Sequence, residues 1–207
     1  MYKDLPLFPL NIVVFPFSKY PLHIFEERYK KLIARCLREK TGFGIVAKLH
    51  NEISSIGVYV EISDVIKTYP DGESDIVVTG KKRFYRKSLS MHREGYYISD
   101  IDEFEDIDSE INFSLFDELV DKLKDLFEKF NLHLDDNYWQ NLEKSKLKAF
   151  KVAEKSGLTI EQQQQLIAMQ TENNRLAFLI EHMIELDKKL EGEVVMKDII
   201  IGDGFLN

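Results

Sequence analysis

The architecture expected of the N-terminal half follows from residues 5–29, which read LPLFPLNIVVFPFSKYPLHIFEERY. Apolar and β-branched residues predict an extended chain from Leu5 to Phe17, but prolines at positions 6, 9 and 16 interrupt it. Because proline has no N–H to donate to a neighbouring strand, we expect an edge strand or an extended segment that breaks near Pro16. Pro21 predicts a further turn, since its ring fixes φ.

A short helix is predicted directly after this segment, from about Phe25 to Glu39. Its apolar residues recur with the spacing i, i+3, i+4, i+7 and i+8, which places them along one stripe of a helix. The stripe consists of Tyr29, Leu32, Ile33, Cys36 and Leu37. Gly42 and Gly44 then mark the exit from the helix.

The rest of the first half predicts short strands separated by turns. Apolar and polar residues alternate from Ile56 to Ile66, and Pro70-Asp71-Gly72 has the composition of a hairpin turn. The predicted strands are Phe43–Leu49, Ile56–Ile66, Ser74–Thr79, Arg83–Met91 and Tyr96–Ile101, with Gly80 joining the third to the fourth. Closely spaced short strands favour a barrel-like or folded sheet.

The second half predicts helices. An acidic stretch, Asp100–Glu110, is expected to connect the halves as a solvated linker. Helical segments follow, each marked by a period of 3.6 residues or by capping residues. They are Phe113–Phe130, a helix capped by Asn137 and ended by Gly157, a short helix that opens with a capping box of Thr159 and Gln162, and a helix from Thr171 to Leu190.

The expected fold class is therefore α+β. A β-rich, barrel-like region with one short helix occupies residues 1–105, and a bundle of about four helices occupies residues 112–192. Residues 193–207 form an apolar tail that contains Val194-Val195-Met196 and Ile199-Ile200-Ile201. Because such a tail is too apolar to lie in water unpaired, two alternatives stay open: it packs on the body, or it is a partner-binding strand.

Composition indicates a soluble globular protein, with 44% hydrophobic and 31% charged residues in a chain of 207. A net charge of −8 repels phosphate backbones, so general nucleic-acid binding is disfavoured. No apolar run approaches the roughly 20 residues that span a bilayer, and the N-terminus lacks the pattern of a signal peptide. The single cysteine, Cys36, can form no internal disulfide. We therefore expect a cytoplasmic protein without membrane contact.

The sequence contains no motif that predicts catalysis, a metal or a cofactor. The nearest approach to a phosphate-binding loop is Gly80-Lys81-Lys82, but Asp75 occupies the position of the first glycine and Lys82 that of the hydroxyl residue. No serine lies in a G-x-S-x-G elbow, and the five histidines are scattered without an H-E-x-x-H pattern. We expect no catalytic residues, no metal ligands, no cofactor and no enzyme activity.

A basic cluster interleaved with aromatic residues follows Gly80 and runs into the predicted strand Arg83–Met91. It comprises Lys81, Lys82, Arg83, Arg86 and Lys87, with Phe84 and Tyr85 between them. Because successive strand residues point to opposite faces, Arg83, Tyr85 and Lys87 share one face with Lys81. Three interpretations stay open: an ordinary charged strand, an RNA-binding stripe with stacking aromatics, or a protein-recognition patch.

Several segments, taken in order, resemble the N-terminal domain of Lon proteases, the family also called Lon substrate-binding domains. The resemblance starts within residues 5–29, in LPLFPL, in VVFP, and in PLHIFE followed by Arg28-Tyr29. It continues through Phe43-Gly44-Ile45-Val46, Ile56-Gly57, Asp71-Gly72 and Gly80-x-x-Arg83-Phe84, and it ends with Arg175-Leu176. It thus covers most of the chain.

This resemblance implies a PUA-like pseudo-barrel followed by a helical bundle, in a stand-alone member that lacks the ATPase and peptidase domains of full-length Lon. It implies recognition of proteins or unfolded peptide segments, and a role as an adaptor or regulator in protein quality control. The candidate contacts are Phe15, Phe17, Tyr20, Arg83 and Tyr85, and a sheet edge can pair with a peptide backbone. The alternatives are RNA binding by the barrel and a small-molecule-binding enzyme in the barrel–bundle crevice.

Overall fold

The computed structural model describes residues 2–50, 52–107 and 110–190. These residues fall into two compact units, a β-rich unit that ends at Glu105 and a helical unit that begins at Asp106. The α+β class, with a barrel-like first region and helices after it, is confirmed. The tail expected over residues 193–207 lies outside the described residues. Within the described ranges, no helix is both long and apolar enough to cross a membrane.

The β-rich unit is built on a sheet that closes on itself. Its strands are β1 (Tyr2–Leu10), β2 (Lys19–Ile24), β3 (Phe43–Leu49), β4 (Glu52–Thr68), β5 (Ser74–Arg86), β6 (Ser90–Met91) and β7 (Tyr97–Glu103). Strands β5, β4, β3, β1 and β7 neighbour one another in that order, and the pairing of β5 with β7 closes the ring. The short strand β2 pairs with β5, and β6 pairs with β7. The architecture is therefore a five-stranded barrel with two added strands.

Strand β1 contains two prolines but is not an edge strand, so the edge-strand alternative was wrong, whereas the expected break near Pro16 is present as a turn at residues 16–17. It pairs in parallel with β3 from Leu7 to Leu10, and antiparallel with β7 from Tyr2 to Leu7. The two pairings overlap only at Leu7. Pro6 therefore has a neighbouring strand only on the β7 side, and Pro9 only on the β3 side. Each proline lies where β1 has one open side, so its missing N–H need not interrupt a pairing.

Other parts of the expected strand pattern are also corrected or confirmed. Pro21 lies inside β2 rather than in a turn, and it pairs with Val77 of β5. Proline is tolerated there because β2 is an edge strand. The two strands expected on either side of Gly80 are one continuous strand, β5. The hairpin turn is confirmed, since Gly72 has a φ of 85° and the Asp71 carboxylate accepts a hydrogen bond from the backbone N–H of residue 73 at 3.1 Å.

Helix α1 (Glu27–Glu39) packs against β1 by aromatic stacking, with the ring centroids of Phe8 and Tyr29 3.7 Å apart. Four residues of the predicted stripe are buried, and the fifth, Leu37, is exposed instead. Burial raises the pKa of the Cys36 thiol to about 11, so this cysteine behaves as an unreactive core residue. The helix ends at Lys40, which adopts the left-handed conformation with a φ of 53°.

The helical unit contains five helices among the residues that the structure describes. They are α2 (Phe113–Lys129), α3 (Asp136–Lys144), α4 (Lys148–Ala153), α5 (Ile160–Ala168) and α6 (Glu172–Leu190). The capping box of Thr159 and Gln162 is confirmed at the start of α5. The cap predicted at Thr171 is confirmed as well, because its hydroxyl accepts a hydrogen bond from the Asn174 N–H at 3.2 Å.

The helix expected between Asn137 and Gly157 is in fact two helices, α3 and α4. Asp135 rather than Asn137 caps α3, because the Asp135 carboxylate accepts a hydrogen bond from the Tyr138 N–H at 2.7 Å. Gly157 has a φ of 65°, as expected of a residue that follows a helix, but α4 already ends at Ala153.

A buried lysine explains the break between these helices. Ser145 adopts an extended backbone conformation and ends α3. The ammonium of Lys148, which is 8% exposed, donates to the Glu143 carbonyl at 2.6 Å and to the Leu142 carbonyl at 3.3 Å. Lys148 thus satisfies the last carbonyls of α3 from the first turn of α4.

Candidate functional site

A tight turn between β1 and β2 is fastened to strand β5. The backbone N–H of Phe17 donates to the Gly80 carbonyl at 2.9 Å, and the Gly80 N–H donates to the Ser18 carbonyl at 3.0 Å. A Cβ atom at residue 80 would lie 2.2 Å from the Phe15 carbonyl oxygen, so the turn approaches β5 this closely only because residue 80 is glycine. We call residues 15–18 the Gly80-bound turn.

The two phenylalanines of this turn have opposite environments. Phe15 is 2% exposed and belongs to the core, so the expectation that its ring is available to a partner was wrong. Phe17 is 60% exposed and has a φ of 66°, in the left-handed region that a bulky residue rarely adopts. Because the chain turns at Phe17, the Phe15 ring lies in the core and the Phe17 ring lies in solvent.

Tyr20 supports the turn from the start of β2. Its side chain is half-buried, and its hydroxyl accepts a hydrogen bond from the Phe15 N–H at 3.4 Å. The Tyr20 backbone pairs with Val78 of β5. The structure therefore brings Phe15, Phe17 and Tyr20 together around the same section of β5, but in this set Phe17 presents the most exposed aromatic ring.

A cavity of about 380 Å³ opens beside this section of β5. Apolar and aromatic side chains, together with two pairs of opposite charges, line it: Tyr59, Phe84 and Ile101, with Glu61, Lys81, Lys82 and Glu103, and also Arg83. The Tyr59 hydroxyl accepts a hydrogen bond from the Gly42 N–H at 2.7 Å, which holds that ring in the wall. The cavity is large enough for one apolar side chain of a partner.

Arg83 and Tyr85 lie on the same strand but have different environments. Arg83 is 5% exposed, and its guanidinium lies over the Phe104 ring at 4.8 Å from the centroid. Arg83 is therefore mostly covered by the chain itself, and its assignment as a partner contact stays a prediction. Its neighbour Phe84 points to the opposite face and is also buried, so both faces of β5 are covered at this point. Tyr85 is 47% exposed and remains available at the surface.

The basic cluster on β5 is largely neutralised by acidic residues on the neighbouring strands. Lys81 pairs with Glu61 at 3.0 Å, and Lys82 with Glu103 at 3.1 Å. Lys87 pairs with Asp102 at 3.0 Å, while the Arg86 guanidinium donates to backbone carbonyls of residues 53 and 54. These pairs remove most of the net positive charge that attraction of a phosphate backbone requires.

An exposed aromatic cluster at the far end of β2 was not predicted. Phe25 is 58% exposed, and its ring lies 6.0 Å from that of His23. His23 pairs with Asp75 at 2.7 Å and also faces Tyr69, with 6.0 Å between the ring centroids. The hydrogen bond that His23 donates to the Asp75 carboxylate raises the pKa of His23. Strand β2 was missed in the sequence because Pro21 suggested a turn, and so its register against β5 was missed too.

Strand β4 continues beyond its pairing with β3, which ends at Val60. From Glu61 to Thr68 it has β5 on one side and, among the described residues, no strand on the other. Two register shifts interrupt this stretch, between Ile62 and Asp64 and between Val65 and residue 67. Irregularities of this kind protect an edge against pairing with another chain, so this edge is a poor template for a peptide strand.

The described part of the chain contains no group of three or more His, Cys, Asp or Glu side chains arranged to hold a metal ion. Several acidic and histidine side chains of the barrel pair with one another or with lysines, as at His23 and Lys82. The arrangement around Gly80 offers an exposed aromatic ring, an apolar cavity and paired charges on the rim of that cavity.

Comparison with known proteins gives consistent results. The family model of the ATP-dependent protease La (LON) substrate-binding domain matches residues 4–185. The Lon protease of Parabacteroides distasonis is 28% identical over 131 residues, which are 59% of this chain but only 16% of that protein. The chain thus spans a small part of the length of this relative.

Two solved structures share the fold over nearly their whole length. The crystal structure of a Lon N-terminal domain protein from Xanthomonas campestris has a TM-score of 0.68 and 25% sequence identity, and the match covers 87% of this chain and 98% of that one. The N-terminal domain of a Mycobacterium avium complex Lon protease has a TM-score of 0.65 and 18% identity, with 88% and 99% covered. The second likeness supports the fold alone.

Proposed function

Since the chain belongs to the Lon substrate-binding domain family, we propose that it is a non-catalytic module that recognises protein segments through the β-rich unit, residues 1–105. Its partners are unfolded or extended peptide segments that carry apolar side chains. The family supports recognition of a substrate in general, and the surface around Gly80 supplies the residues that we assign to it.

The exposure of Phe17 is the observation that carries this proposal. A bulky residue with a positive φ stores strain of about 1–3 kcal/mol, and the backbone bonds to Gly80 hold it there. A phenylalanine that is 60% exposed gains little packing energy within the chain to offset that strain. Strained, exposed aromatic residues on a rigid turn are typical of sites that bind a partner.

The cavity beside Lys81 supplies the complementary half of the site. An extended peptide can place one apolar side chain against Tyr59 and Ile101 while another contacts the Phe17 ring. The ion pairs at the rim, Lys81 with Glu61 and Lys82 with Glu103, present both signs of charge and hence favour no strongly charged peptide. This arrangement suits binding that depends on apolar content rather than on one exact sequence.

Within protein quality control, we propose that the module acts as an adaptor or regulator that holds unfolded segments. The Lon relative from Parabacteroides distasonis is named as a protease, and the matched region is a small part of it. Recognition is therefore the activity that we transfer to this chain, and proteolysis is not.

RNA binding by the barrel is the competing proposal. It requires a basic stripe with free charge, whereas the lysines at positions 81, 82 and 87 are paired with carboxylates. A titration with labelled single-stranded RNA at low salt discriminates between the two proposals. Tight, salt-dependent binding that a triple substitution of Lys81, Lys82 and Arg83 abolishes would favour RNA.

A small-molecule-binding enzyme is the third alternative. It requires convergent reactive groups in a pocket, and the barrel cavity is lined instead by apolar side chains and paired charges.

The proposal is tested by binding of a fluorescently labelled model protein, compared in its folded and its chemically unfolded form. We expect the unfolded form to bind and the Phe17→Asn variant to lose most of that affinity. Phe113→Asn is the matched control, because Phe113 is 62% exposed but lies in the helical unit. Equal losses in the two variants, or no preference for the unfolded form, would show that the Gly80-bound turn is not the site.

A further inference from the structure

The helical unit contains a groove that the proposed function does not use. It has a volume of about 630 Å³ and lies between α2 and α3. Its apolar lining residues are buried or half-buried, and its charged ones are exposed, so we call the first set the floor and the second the rim. The floor is Phe116, Val120, Trp139 and Leu142, and the rim is Asp117, Asp121, Glu143 and Lys124. The Lys124 ammonium lies 5.4 Å from the centroid of the Trp139 ring, which links the two helices across the groove.

Helical spacing places the rim and the floor along one face of α2. Asp117, Val120, Asp121 and Lys124 follow one another at i, i+3, i+4 and i+7, so they share that face. Among the described residues, neither aspartate has an ion-pair or hydrogen-bond partner for its carboxylate, and both side chains are exposed. These two carboxylates are therefore unpaired, and with one lysine on it the face keeps a net negative charge.

We propose that this groove binds a basic amphipathic helical segment of a partner protein, with its aliphatic side chains on the apolar floor and its Lys or Arg side chains against Asp117, Asp121 and Glu143. This proposal extends the proposed function to a second surface and names the chemistry of one partner. The occupant is a helix because the groove runs between two helices, where a third packs its apolar stripe by ridges and grooves.

Charge complementarity selects a basic partner rather than an acidic one. Residues 106–190 contain 17 Asp and Glu but only 11 Lys and Arg, whereas residues 1–105 contain 15 acidic and 16 basic residues. The acidity of the chain is therefore concentrated outside the barrel. The groove shows the same excess of negative charge, because three carboxylates and one lysine line it. A basic segment is therefore attracted to the groove before contact and stabilised there after contact.

Trp139 provides a direct test, because it is the only tryptophan in the chain and it lines the groove. The probe is a synthetic amphipathic helical peptide with a leucine stripe flanked by lysines, titrated into the full chain while Trp139 fluorescence is recorded. A peptide with glutamate in place of each lysine is the matched negative probe. We expect the lysine peptide to change Trp139 emission saturably, and Asp117→Lys with Asp121→Lys to weaken its affinity about tenfold or more.

Two control variants separate this groove from other causes. Glu128→Lys with Glu181→Lys makes the same change in net charge at exposed positions outside the groove, and we expect it to keep most of the affinity. Phe17→Asn removes the proposed barrel contact and should leave the lysine peptide bound. The proposal is overturned if both charge-reversal pairs weaken binding equally, if the glutamate peptide binds as well, or if the lysine peptide leaves Trp139 emission unchanged. Loss of unfolded-protein binding in Phe17→Asn with the peptide still bound supports both surfaces separately.

Discussion

Arg175 holds the carboxylate of Asp106 in a two-point pair, although 69 positions separate them in the chain. Its Nη1 lies 2.9 Å from Oδ1, and its Nη2 donates to the other carboxylate oxygen. Nε donates to Glu172 at 3.0 Å, and Glu172 in turn accepts from the Ala149 N–H at 2.8 Å. This buried network therefore joins the segment before α2 to α4 and α6 within the helical unit.

Substitution of Arg175 by methionine is expected to destabilise the helical unit by about 3–5 kcal/mol, because it leaves the buried Glu172 carboxylate without its counter-charge. Urea unfolding followed by Trp139 fluorescence measures this, since the only tryptophan reports on that unit. Lys129→Met is the control in the same unit. The Lys129 side chain is 38% exposed in its pair with Asp187, so its loss should cost at most about 1 kcal/mol. Similar costs for the two variants would contradict this account.

The helical unit is also expected to lose stability as pH falls below neutrality, because of His182. Burial lowers the pKa of His182, whose Nε2 lies 2.7 Å from the Ser156 carbonyl and whose Nδ1 faces the Gln162 amide at 3.3 Å. Glu185 and Lys189 have smaller, opposite effects on that pKa. The unfolded chain, with its ordinary pKa of about 6.5, takes up the proton first, so stability falls from there down to the lower folded-state pKa.

Urea midpoints at about pH 7.5 and about pH 5 test this dependence, because the interval spans the ordinary histidine pKa. His182→Gln can keep one donor and one acceptor without titrating. We therefore expect it to lower the urea midpoint at about pH 7.5 and to reduce the difference between the midpoints at the two pH values. His133→Gln, at an exposed position, should keep the wild-type difference. An unchanged pH dependence in His182→Gln would assign the effect to other groups.

The parts of the fold that local pattern specifies were predictable, and those that depend on partner strands were not. Strand β3 matches its predicted range, and the cap at Thr159 was found, because periodicity and capping are properties of neighbouring residues. The two-sided pairing of β1 was missed, because it depends on where β3 and β7 begin and end relative to Pro6 and Pro9. A proline in the sequence shows a missing donor but not which side of the strand is open.

The candidate site shows the same limit. The sequence singled out the region from Phe15 to Tyr20, but no local pattern distinguishes the buried Phe15 from the exposed Phe17. That difference arises from the left-handed conformation at residue 17 and from the close approach to Gly80, a contact across 63 positions of chain. The groove beside Trp139 was not predicted, because it requires the spatial pairing of α2 with α3.

Gly80→Ala is expected to displace the Gly80-bound turn. The new Cβ would meet the Phe15 carbonyl at 2.2 Å, which is backbone and cannot rotate away. A cost of about 1–3 kcal/mol in barrel stability is expected from this overpacking, together with weaker binding of unfolded protein. Near-ultraviolet circular dichroism of tyrosine follows the barrel, since eight of the nine tyrosines precede residue 106. Gly72→Asn is the control, because its Cβ would meet only the Lys30 side chain, at an ordinary contact distance of 3.8 Å, and asparagine tolerates the φ of 85°. Equal stability of Gly72→Asn and Gly80→Ala would contradict the argument.

Phe17→Asn is expected to bind unfolded protein poorly yet to be no less stable than the natural chain. Asparagine adopts the left-handed conformation more easily than phenylalanine, so relief of strain at residue 17 should raise barrel stability by up to about 1 kcal/mol. Phe15→Ala, two positions earlier, removes a buried ring and should cost about 3–5 kcal/mol. Thermal unfolding followed by tyrosine circular dichroism compares the two. A marked loss of stability in Phe17→Asn would mean that the exposed ring serves the fold, and the assignment of Phe17 to partner binding would then fail.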